Sequence, residues 1–146
     1  MRRGAIILCG GKSSRMGRDK ATLPFGPELM LQRVVRLVGE VVAFENMVVV
    51  AAPNQLLPAL PAGVSTVRDV QEYRGPLAGL ATGLRALADR VDAAYVTSCD
   101  VPLLIPAFSE RMFDLLGDFD IAVPIDAQHH HPLAAVYRSS VLEHVQ

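Results

Sequence analysis

A short apolar run, Ala5–Leu8, leads directly into a segment that carries three glycines, two serines and four cationic side chains between positions 10 and 20. The run is typical of a short buried strand, and the glycines that follow it indicate a loop. Glycines let main-chain N–H groups approach an anion, serine hydroxyls add donors, and lysine and arginine supply positive charge. The pattern therefore predicts a loop that binds phosphate groups, and the alternative is a solvated glycine turn.

Two familiar phosphate motifs are excluded by the spacing of these residues. A P-loop requires a glycine five residues before its Gly-Lys-Ser, and for Gly11-Lys12-Ser13 that position is Ile6, inside the predicted strand. The dinucleotide fingerprint G-x-G-x-x-G fails because Gly10 and Gly11 are adjacent. The only two lysines of the sequence, Lys12 and Lys20, both lie in this loop, which favours a need for a compact ammonium group.

Composition limits the class of protein. The chain has 146 residues, 51% hydrophobic content, a mean hydropathy of +0.30 and a formal charge of −1. These values predict one domain with a single core and argue against a broad nucleic-acid-binding surface. The first apolar run is shorter than the core of a signal peptide, and no stretch approaches the roughly 18 apolar residues of a membrane span. We therefore expect a cytoplasmic protein with no membrane partner.

Strand and helix patterns alternate along the chain. Predicted strands lie at 5–8, 46–51, 64–68, 93–98, 121–124 and 133–137, and predicted helices at 28–38, 75–88 and 106–116, with a last helix capped by Ser139 or Ser140. This alternation predicts an α/β fold, with a mostly parallel sheet covered by helices on both faces. Cys9 and Cys99 each end a predicted strand, and we expect both to be reduced, a disulfide being the alternative.

Three features should meet at one edge of this sheet. The glycine loop, Asp69 and Cys99-Asp100 each follow a predicted strand, and ligands of such sheets bind at the carboxyl ends of the strands. Asp100 would lie beside the cationic loop, where a carboxylate could hold Mg²⁺ against the phosphates of a nucleoside triphosphate. The alternative is an aspartate that caps the next helix.

Four segments together resemble one family. Residues 8–20 are similar to the signature L-[AC]-G-G-x-S-x-R-M-G-x-D-K of the molybdenum cofactor guanylyltransferases. Cys99-Asp100-Val101-Pro102 resembles the C-D-x-P of that family, Gly75-Pro76-Leu77-Ala78-Gly79 its G-P-L-A-G, and His131-Pro132-Leu133 its H-P-L. The resemblance extends over essentially the whole chain, in order.

The resemblance implies a fold and an activity. The fold would be a three-layer, doubly wound, mostly parallel sheet of the nucleotide-diphospho-sugar transferase (Rossmann-like) type, with 1–146 as a single nucleotidyltransferase domain. Members of the family continue to a final N-x-N-T-P motif, so we expect the C-terminal part of the family domain to be missing here. The activity would be transfer of GMP from Mg²⁺-GTP to molybdopterin or the molybdenum cofactor, with release of pyrophosphate. Further partners would be the molybdoenzymes that accept the product, or their chaperones.

The resemblance also implies roles for individual residues. The catalytic residues would be Arg15, Lys20 and Asp100, with Asp100 as the metal ligand. The nucleotide would contact Leu8, Cys9, Gly10, Gly11, Ser13, Ser14, Lys20, Asp69, Gly75, Pro76, Leu77 and Asp100. The pterin substrate would lie near His131 and Pro132.

The choice of base depends on a few positions. An acceptor carboxylate such as Asp69 suits the N–H donors of guanine or a ribose hydroxyl. Cytidylyltransferases of the same pathway have A-G where this chain has Gly10-Gly11, which favours GTP. Where the family often has an asparagine near the base, this chain has Val50-Ala51-Ala52. The alternatives are a cytidylyltransferase of that pathway or a sugar nucleotidyltransferase and, in another class, a non-catalytic assembly protein that binds GTP or the cofactor.

Overall fold

A computed structural model of the protein describes residues 1–10, 19–69 and 75–145. Its described part contains a six-stranded sheet, a small two-stranded hairpin and four α-helices. The strands are β1 (Arg3–Leu8), β2 (Pro24–Phe25), β3 (Glu28–Leu29), β4 (Met47–Ala51), β5 (Ser65–Arg68), β6 (Ala93–Ser98), β7 (Ile121–Ala122) and β8 (Ala134–Arg138). The helices are α1 (Met30–Val38), α2 (Pro76–Leu87), α3 (Pro106–Leu116) and α4 (Leu142–Val145).

The main sheet has the strand order β5-β4-β1-β6-β8-β7. The pairs β5–β4, β4–β1 and β1–β6 are parallel, whereas β8 runs antiparallel to both β6 and β7. Leu8, the last residue of β1, is in register with Val50 in β4 and with Ser98 in β6. The carboxyl ends of these three central strands therefore lie side by side, where the sequence predicts the phosphate loop and Asp100.

Helices cover both faces of the sheet, as the alternating pattern predicts. On one face, Ile7 and Tyr95 pack in a cluster with side chains of α1 and α3, such as Val34 and Phe113. On the other face, Ile6 and its neighbours pack against α2 and α4. Because the central strands are buried on both faces, their sequences contain apolar runs, Ala5–Leu8, Met47–Ala51 and Ala93–Val96, rather than alternating apolar and polar residues. Among the described residues, no helix is both long enough and apolar enough to span a membrane.

Three predictions need correction, apart from element ends that shift by one or two residues. The first helix begins at Met30 rather than Glu28, because Glu28–Leu29 pairs with Pro24–Phe25 in the hairpin and the Gln32 side chain accepts a hydrogen bond from the Leu29 N–H. The strand predicted at 121–124 is only the short β7. Neither predicted serine caps the last helix: a 3₁₀ turn at Ser139–Val141 precedes α4, and the Ser139 hydroxyl instead donates to the Val91 carbonyl at 2.8 Å.

Close packing of α2 on β1 depends on a glycine. A Cβ atom added at Gly83 would lie 2.5 Å from Cγ2 of Ile6, and that methyl sits on a β-branched side chain that is stiff at χ1. For Gly83→Ala we expect a loss of about 1–3 kcal/mol in the free energy of unfolding, in spite of the better helix propensity of alanine. Urea denaturation should show this loss, with Arg85→Ala on the exposed face of α2 as the neutral control. Unchanged or higher stability of Gly83→Ala would contradict this packing.

Candidate active site

A cavity of about 290 Å³ opens at the carboxyl edge of the sheet. This volume is at the lower end of the roughly 300–1,000 Å³ typical of ligand pockets, so it suits one ring system better than a whole triphosphate. The residues that line it come from β1, β4, the segment after β5, the start of α2, the end of β6 and the segment before β8: Leu8, Gly10, Val50, Ala52, Asp69, Gly75, Pro76, Gly79, Ser98 and Leu133.

Three of the residues that line this cavity are glycines. At Gly10 a Cβ atom would lie 3.2 Å from the Ala52 backbone nitrogen, and at Gly79 it would lie 3.1 Å from a Leu8 methyl. Gly75 has φ +87°, a left-handed conformation that favours glycine, and Pro76 follows as the first residue of α2. Close packing therefore favours glycine at Gly10 and Gly79, and backbone conformation favours it at Gly75.

Asp69 places a carboxylate on the cavity wall. It follows β5, and its N–H donates to the Ala51 carbonyl at 2.9 Å, which aligns it with the end of β4. Its Oδ1 accepts a hydrogen bond from the Thr82 hydroxyl of α2 at 3.0 Å. Asp69 is half-buried, so it can present an acceptor to N–H or hydroxyl donors of a ligand.

Lys20 and Asp100 form an ion pair at this edge of the sheet. The Lys20 Nζ lies 3.1 Å from Oδ2 of Asp100, while Oδ1 accepts a hydrogen bond of 2.7 Å from the hydroxyl of Ser98, a residue that also lines the cavity. The two side chains are 46% and 36% exposed, so a ligand can reach both charges. Partial burial acts to raise the pKa of Asp100, but the hydrogen bonds from Ser98 and Lys20 together outweigh it and lower the pKa. Asp100 is therefore an anion at neutral pH.

The two cysteines lie next to each other beneath this site. Cys9 and Cys99 are both buried with free thiols, as expected for reduced side chains. Their N–H groups donate to the Val50 carbonyl and the Leu8 carbonyl, which extends the sheet one residue beyond the strands. The hydrogen bond with the Cys99 thiol, together with burial, raises the pKa of Cys9. A neutral, buried thiol of this kind is a packing residue rather than a nucleophile.

The structure brings together only part of the predicted site. Leu8, Gly10, Asp69, Gly75 and Pro76 line the cavity, and the Lys20–Asp100 pair joins it through Ser98. Cys9 and Leu77 are not among the lining residues: the Cys9 side chain faces the core on the side of α1 and α3, and Leu77 is 59% exposed. The predicted contact at Cys9 is with its main chain, and both contacts stay predictions. The four remaining loop residues lie outside the described part of the chain: Gly11, Ser13, Ser14 and Arg15.

His131 and Pro132 lie in the connection between β7 and β8. The Nε2 atom of His131 is 2.8 Å from Oδ2 of Asp126, and the Pro132 carbonyl accepts a hydrogen bond from the hydroxyl of Tyr137. Three hydrogen bonds lower the pKa of Asp126 to about 2: one from the N–H of Gln128, one with the imidazole of His131 and one from the N–H of His129. The next residue, Leu133, reaches the cavity wall. The imidazole of His131 is thus held by a carboxylate on an exposed hairpin.

Several residues of the site escape the sequence motifs. Val50 and Ala52 follow only from strand register, once β1 and β4 are known to be neighbours. Ser98 gives a weaker signal, since it is the second of two polar residues, Thr97 and Ser98, at the end of β6. Gln55, whose Nε2 donates to the Cys9 carbonyl at 3.1 Å, lies in a segment without helix or strand and gives no signal in the sequence.

Comparison with known proteins gives a consistent result. A model of the MobA-like NTP transferase domain family matches residues 5–146. A probable molybdenum cofactor guanylyltransferase of Mycobacterium bovis is 39% identical over 145 residues, which is 96% of this chain and 70% of that protein. A protein of the same description from Mycobacterium avium is 36% identical, with 99% of this chain and 74% of that protein covered.

Solved structures show the same fold. Molybdopterin-guanine dinucleotide biosynthesis protein A from Archaeoglobus fulgidus superimposes with a TM-score of 0.70 at 18% identity, over 99% of this chain and 71% of that one. The Mycobacterium tuberculosis protein Rv0371c, solved in complex with manganese, superimposes with a TM-score of 0.76 at 21% identity, over 99% of this chain and 75% of that one. The fold, the family model and the curated relatives agree, and the chain belongs to the MobA-like NTP transferase domain family of nucleotidyltransferases.

Proposed function

We propose that this chain transfers GMP from GTP to molybdopterin or its molybdenum-loaded form, and releases pyrophosphate. The observation that carries the proposal is the 39% identity, over 96% of the chain, to relatives described as probable molybdenum cofactor guanylyltransferases. The cavity and the Lys20–Asp100 pair support it, because they lie together at the edge where sheets of this type bind ligands. The proposal treats 1–146 as one nucleotidyltransferase domain that acts in the cytoplasm.

The cavity has features that suit guanine. In the proposed arrangement the base lies against the main chain at Gly10, where a side chain would have to approach within 3.2 Å of Ala52. The carboxylate of Asp69 would accept hydrogen bonds from the N1–H and N2–H₂ donors of guanine, or from a ribose hydroxyl. Cytosine carries one exocyclic donor and no ring N–H, so it would satisfy this carboxylate less well. The triphosphate would then extend toward Lys20.

The residues present fit a magnesium ion. Mg²⁺ is usually held by one or two carboxylates together with substrate phosphates, rather than by a cage of protein ligands. Asp100 supplies one ionised, partly exposed carboxylate, and the described residues contain no group of three or more metal-ligating side chains. Asp100 would hold the ion, which when bound would neutralise charge on the triphosphate. Binding of the nucleotide would then separate Asp100 from Lys20.

The proposed transfer is an in-line substitution at phosphorus. An oxygen of the terminal phosphate of the pterin bonds to the α-phosphorus of GTP, and the bond from that phosphorus to the bridging oxygen of the β-phosphate breaks. The attacking oxygen is already ionised, so no general base is required, and catalysis consists of positioning and charge neutralisation. Lys20 would neutralise the departing pyrophosphate, with Arg15 of the glycine loop as a second cation. His131 and Pro132 are the proposed pterin contacts.

Nucleotide binding provides the first test of this proposal. We expect calorimetry to show Mg²⁺-dependent binding of GTP that is at least about tenfold tighter than binding of CTP, because a lost charge-assisted hydrogen bond costs about 1.5–3 kcal/mol. Asp69→Asn should reduce this preference. The asparagine side chain accepts hydrogen bonds through its oxygen only, and its NH₂ group is a donor that would face the donors of guanine. A preference for CTP would indicate a cytidylyltransferase, and binding of neither nucleotide would contradict the proposed site.

A further inference from the structure

Gln55 uses every polar atom of its side chain at the edge of the candidate site. Its Nε2 donates to the Cys9 carbonyl at 3.1 Å and to Oδ2 of Asp19 at 2.7 Å. Its Oε1 accepts a hydrogen bond of 3.0 Å from the Ala52 N–H. Because two acceptors face the nitrogen and one donor faces the oxygen, these partners determine the orientation of the amide. Arg68 holds the Gln55 main chain in turn, by donating to its carbonyl at 2.7 Å.

These contacts join segments that are distant along the chain. Cys9 directly follows β1, Ala52 directly follows β4, and Asp19 is the residue before Lys20. In the sequence, Cys9 and Asp19 flank the glycine segment that carries the predicted phosphate contacts. One amide therefore links both flanks of that segment to the end of the neighbouring strand.

The position of Lys20 depends on Asp19. Oδ1 of Asp19 accepts a hydrogen bond of 2.9 Å from the Ala21 N–H, which caps the 3₁₀ turn Lys20–Thr22 at its start. With Oδ1 on this turn and Oδ2 on Gln55, both carboxylate oxygens of Asp19 are held. The turn directs the Lys20 side chain to Asp100, 3.1 Å away.

We propose that Gln55 is a positioning residue for nucleotidyl transfer, which sets the place of Lys20 through Asp19 and holds the two flanks of the phosphate loop at a fixed separation. The inference rests on the proposed function in that Lys20 acts on the triphosphate. In this proposal Gln55 itself contacts neither the attacking oxygen of the pterin phosphate nor the α-phosphorus of GTP. Its role requires an amide, because glutamate lacks the donors and would place a second negative charge next to Asp19, while leucine lacks both donors and acceptor.

Steady-state kinetics separate this role from a purely structural one. For Gln55→Glu and Gln55→Leu we expect kcat for pyrophosphate release from GTP to fall about 10–100-fold, since misplacement of a charge by about 1 Å costs this much. KM for GTP should change less than kcat, because Gln55 does not line the cavity proposed to hold the base. Gln32→Leu is the matched control: Gln32 accepts from the Leu29 N–H and donates to the Ala59 carbonyl at 3.0 Å, away from the loop.

A second substitution provides a rescue. In the double variant Gln55→Glu with Asp19→Asn, the amide of position 19 can donate to the carboxylate of position 55, so the hydrogen bond is restored with reversed polarity. We expect kcat to recover at least about fivefold over Gln55→Glu alone. Asp19→Asn alone should be impaired, because its amide would face the Nε2 donors of Gln55. Near-normal kcat in both single Gln55 variants, or a loss in Gln32→Leu as large as theirs, would overturn the inference.

The outcome for Gln55 can be distinguished from the outcome for the proposed function. Pyrophosphate release by the unaltered chain tests the function, and only the ratio between variant and unaltered chain tests the inference. If the unaltered chain binds GTP without turnover, affinity for GTP becomes the readout, and Gln55→Glu must weaken it, by less than the loss expected in kcat, while Gln32→Leu does not. If the unaltered chain binds neither GTP nor CTP, the positioning role is contradicted together with the site.

Discussion

Asp100→Asn should lower the rate of guanylyl transfer by about three orders of magnitude, the largest loss that we expect from any single substitution in this chain. Asparagine has the shape of aspartate and can keep the hydrogen bond from Ser98, so the fold should be preserved. What it lacks is the negative charge that faces Lys20 at 3.1 Å and that would hold the magnesium ion beside the triphosphate. The loss should therefore appear in kcat, with a weaker dependence of GTP binding on Mg²⁺.

A matched control for this substitution is available on α3. Asp114 is exposed and has one long ion pair with Arg3, at 3.8 Å. Asp114→Asn should retain the activity and the thermal midpoint of the unaltered chain, because surface ion pairs of this kind contribute about 0–1 kcal/mol. If Asp100→Asn also retained near-normal turnover and the same dependence on Mg²⁺, the assignment of Asp100 to the metal and the triphosphate would be wrong.

Lys20→Ala should have the second largest effect, a loss of about 10²–10³-fold in kcat/KM for GTP. Its ammonium is the described cation closest to Asp100 and is 46% exposed, so it is free to turn to a bound phosphate. Lys20→Arg should recover only part of the activity, because a planar guanidinium does not reproduce the compact charge of an ammonium. Single-turnover measurements with saturating GTP will show whether the loss lies in the chemical step.

Arg111→Ala tests whether loss of any cation has this effect. Arg111 lies on the exposed side of α3, outside the candidate site, and its removal changes the net charge by the same amount. We expect this variant to transfer GMP at an undiminished rate. Should Lys20→Ala be no more impaired than Arg111→Ala, Lys20 would have no part in neutralising the triphosphate.

Much of the fold could be predicted from the chain because local pattern and tertiary packing agree in its centre. Strand β6 and helix α3 have the bounds that the sequence predicts, since the apolar run Ala93–Val96 suits a strand buried on both faces and Pro106 and Gly117 mark the helix ends. The disagreement at Glu28 arises where packing overrides propensity. Its carboxylate pairs with Arg36 at 2.8 Å only because Glu28 lies in a hairpin beside the helix, and no periodicity in the sequence shows this.

The residues of the candidate site also fall into some that the sequence can locate and others that it cannot. Motif residues such as Gly10, Asp69 and Asp100 can be located from sequence, because each follows a strand and the sheet brings the strand ends together. Gln55 could not, because its role depends on hydrogen bonds to residues 46 and 36 positions away. Cys9 and Leu77 have motif positions but do not line the cavity, and contact with the nucleotide stays a prediction for both.

The most direct test of the central claim is the product of the reaction. The chain should be incubated with Mg²⁺, molybdopterin and GTP labelled at the α-phosphate, with CTP in a parallel reaction, while pyrophosphate is measured. We predict that the label enters the pterin product in equal amount with the pyrophosphate released, and that CTP gives neither. Transfer from CTP instead, or tight GTP binding without pyrophosphate release or transfer of the label, would contradict guanylyl transfer.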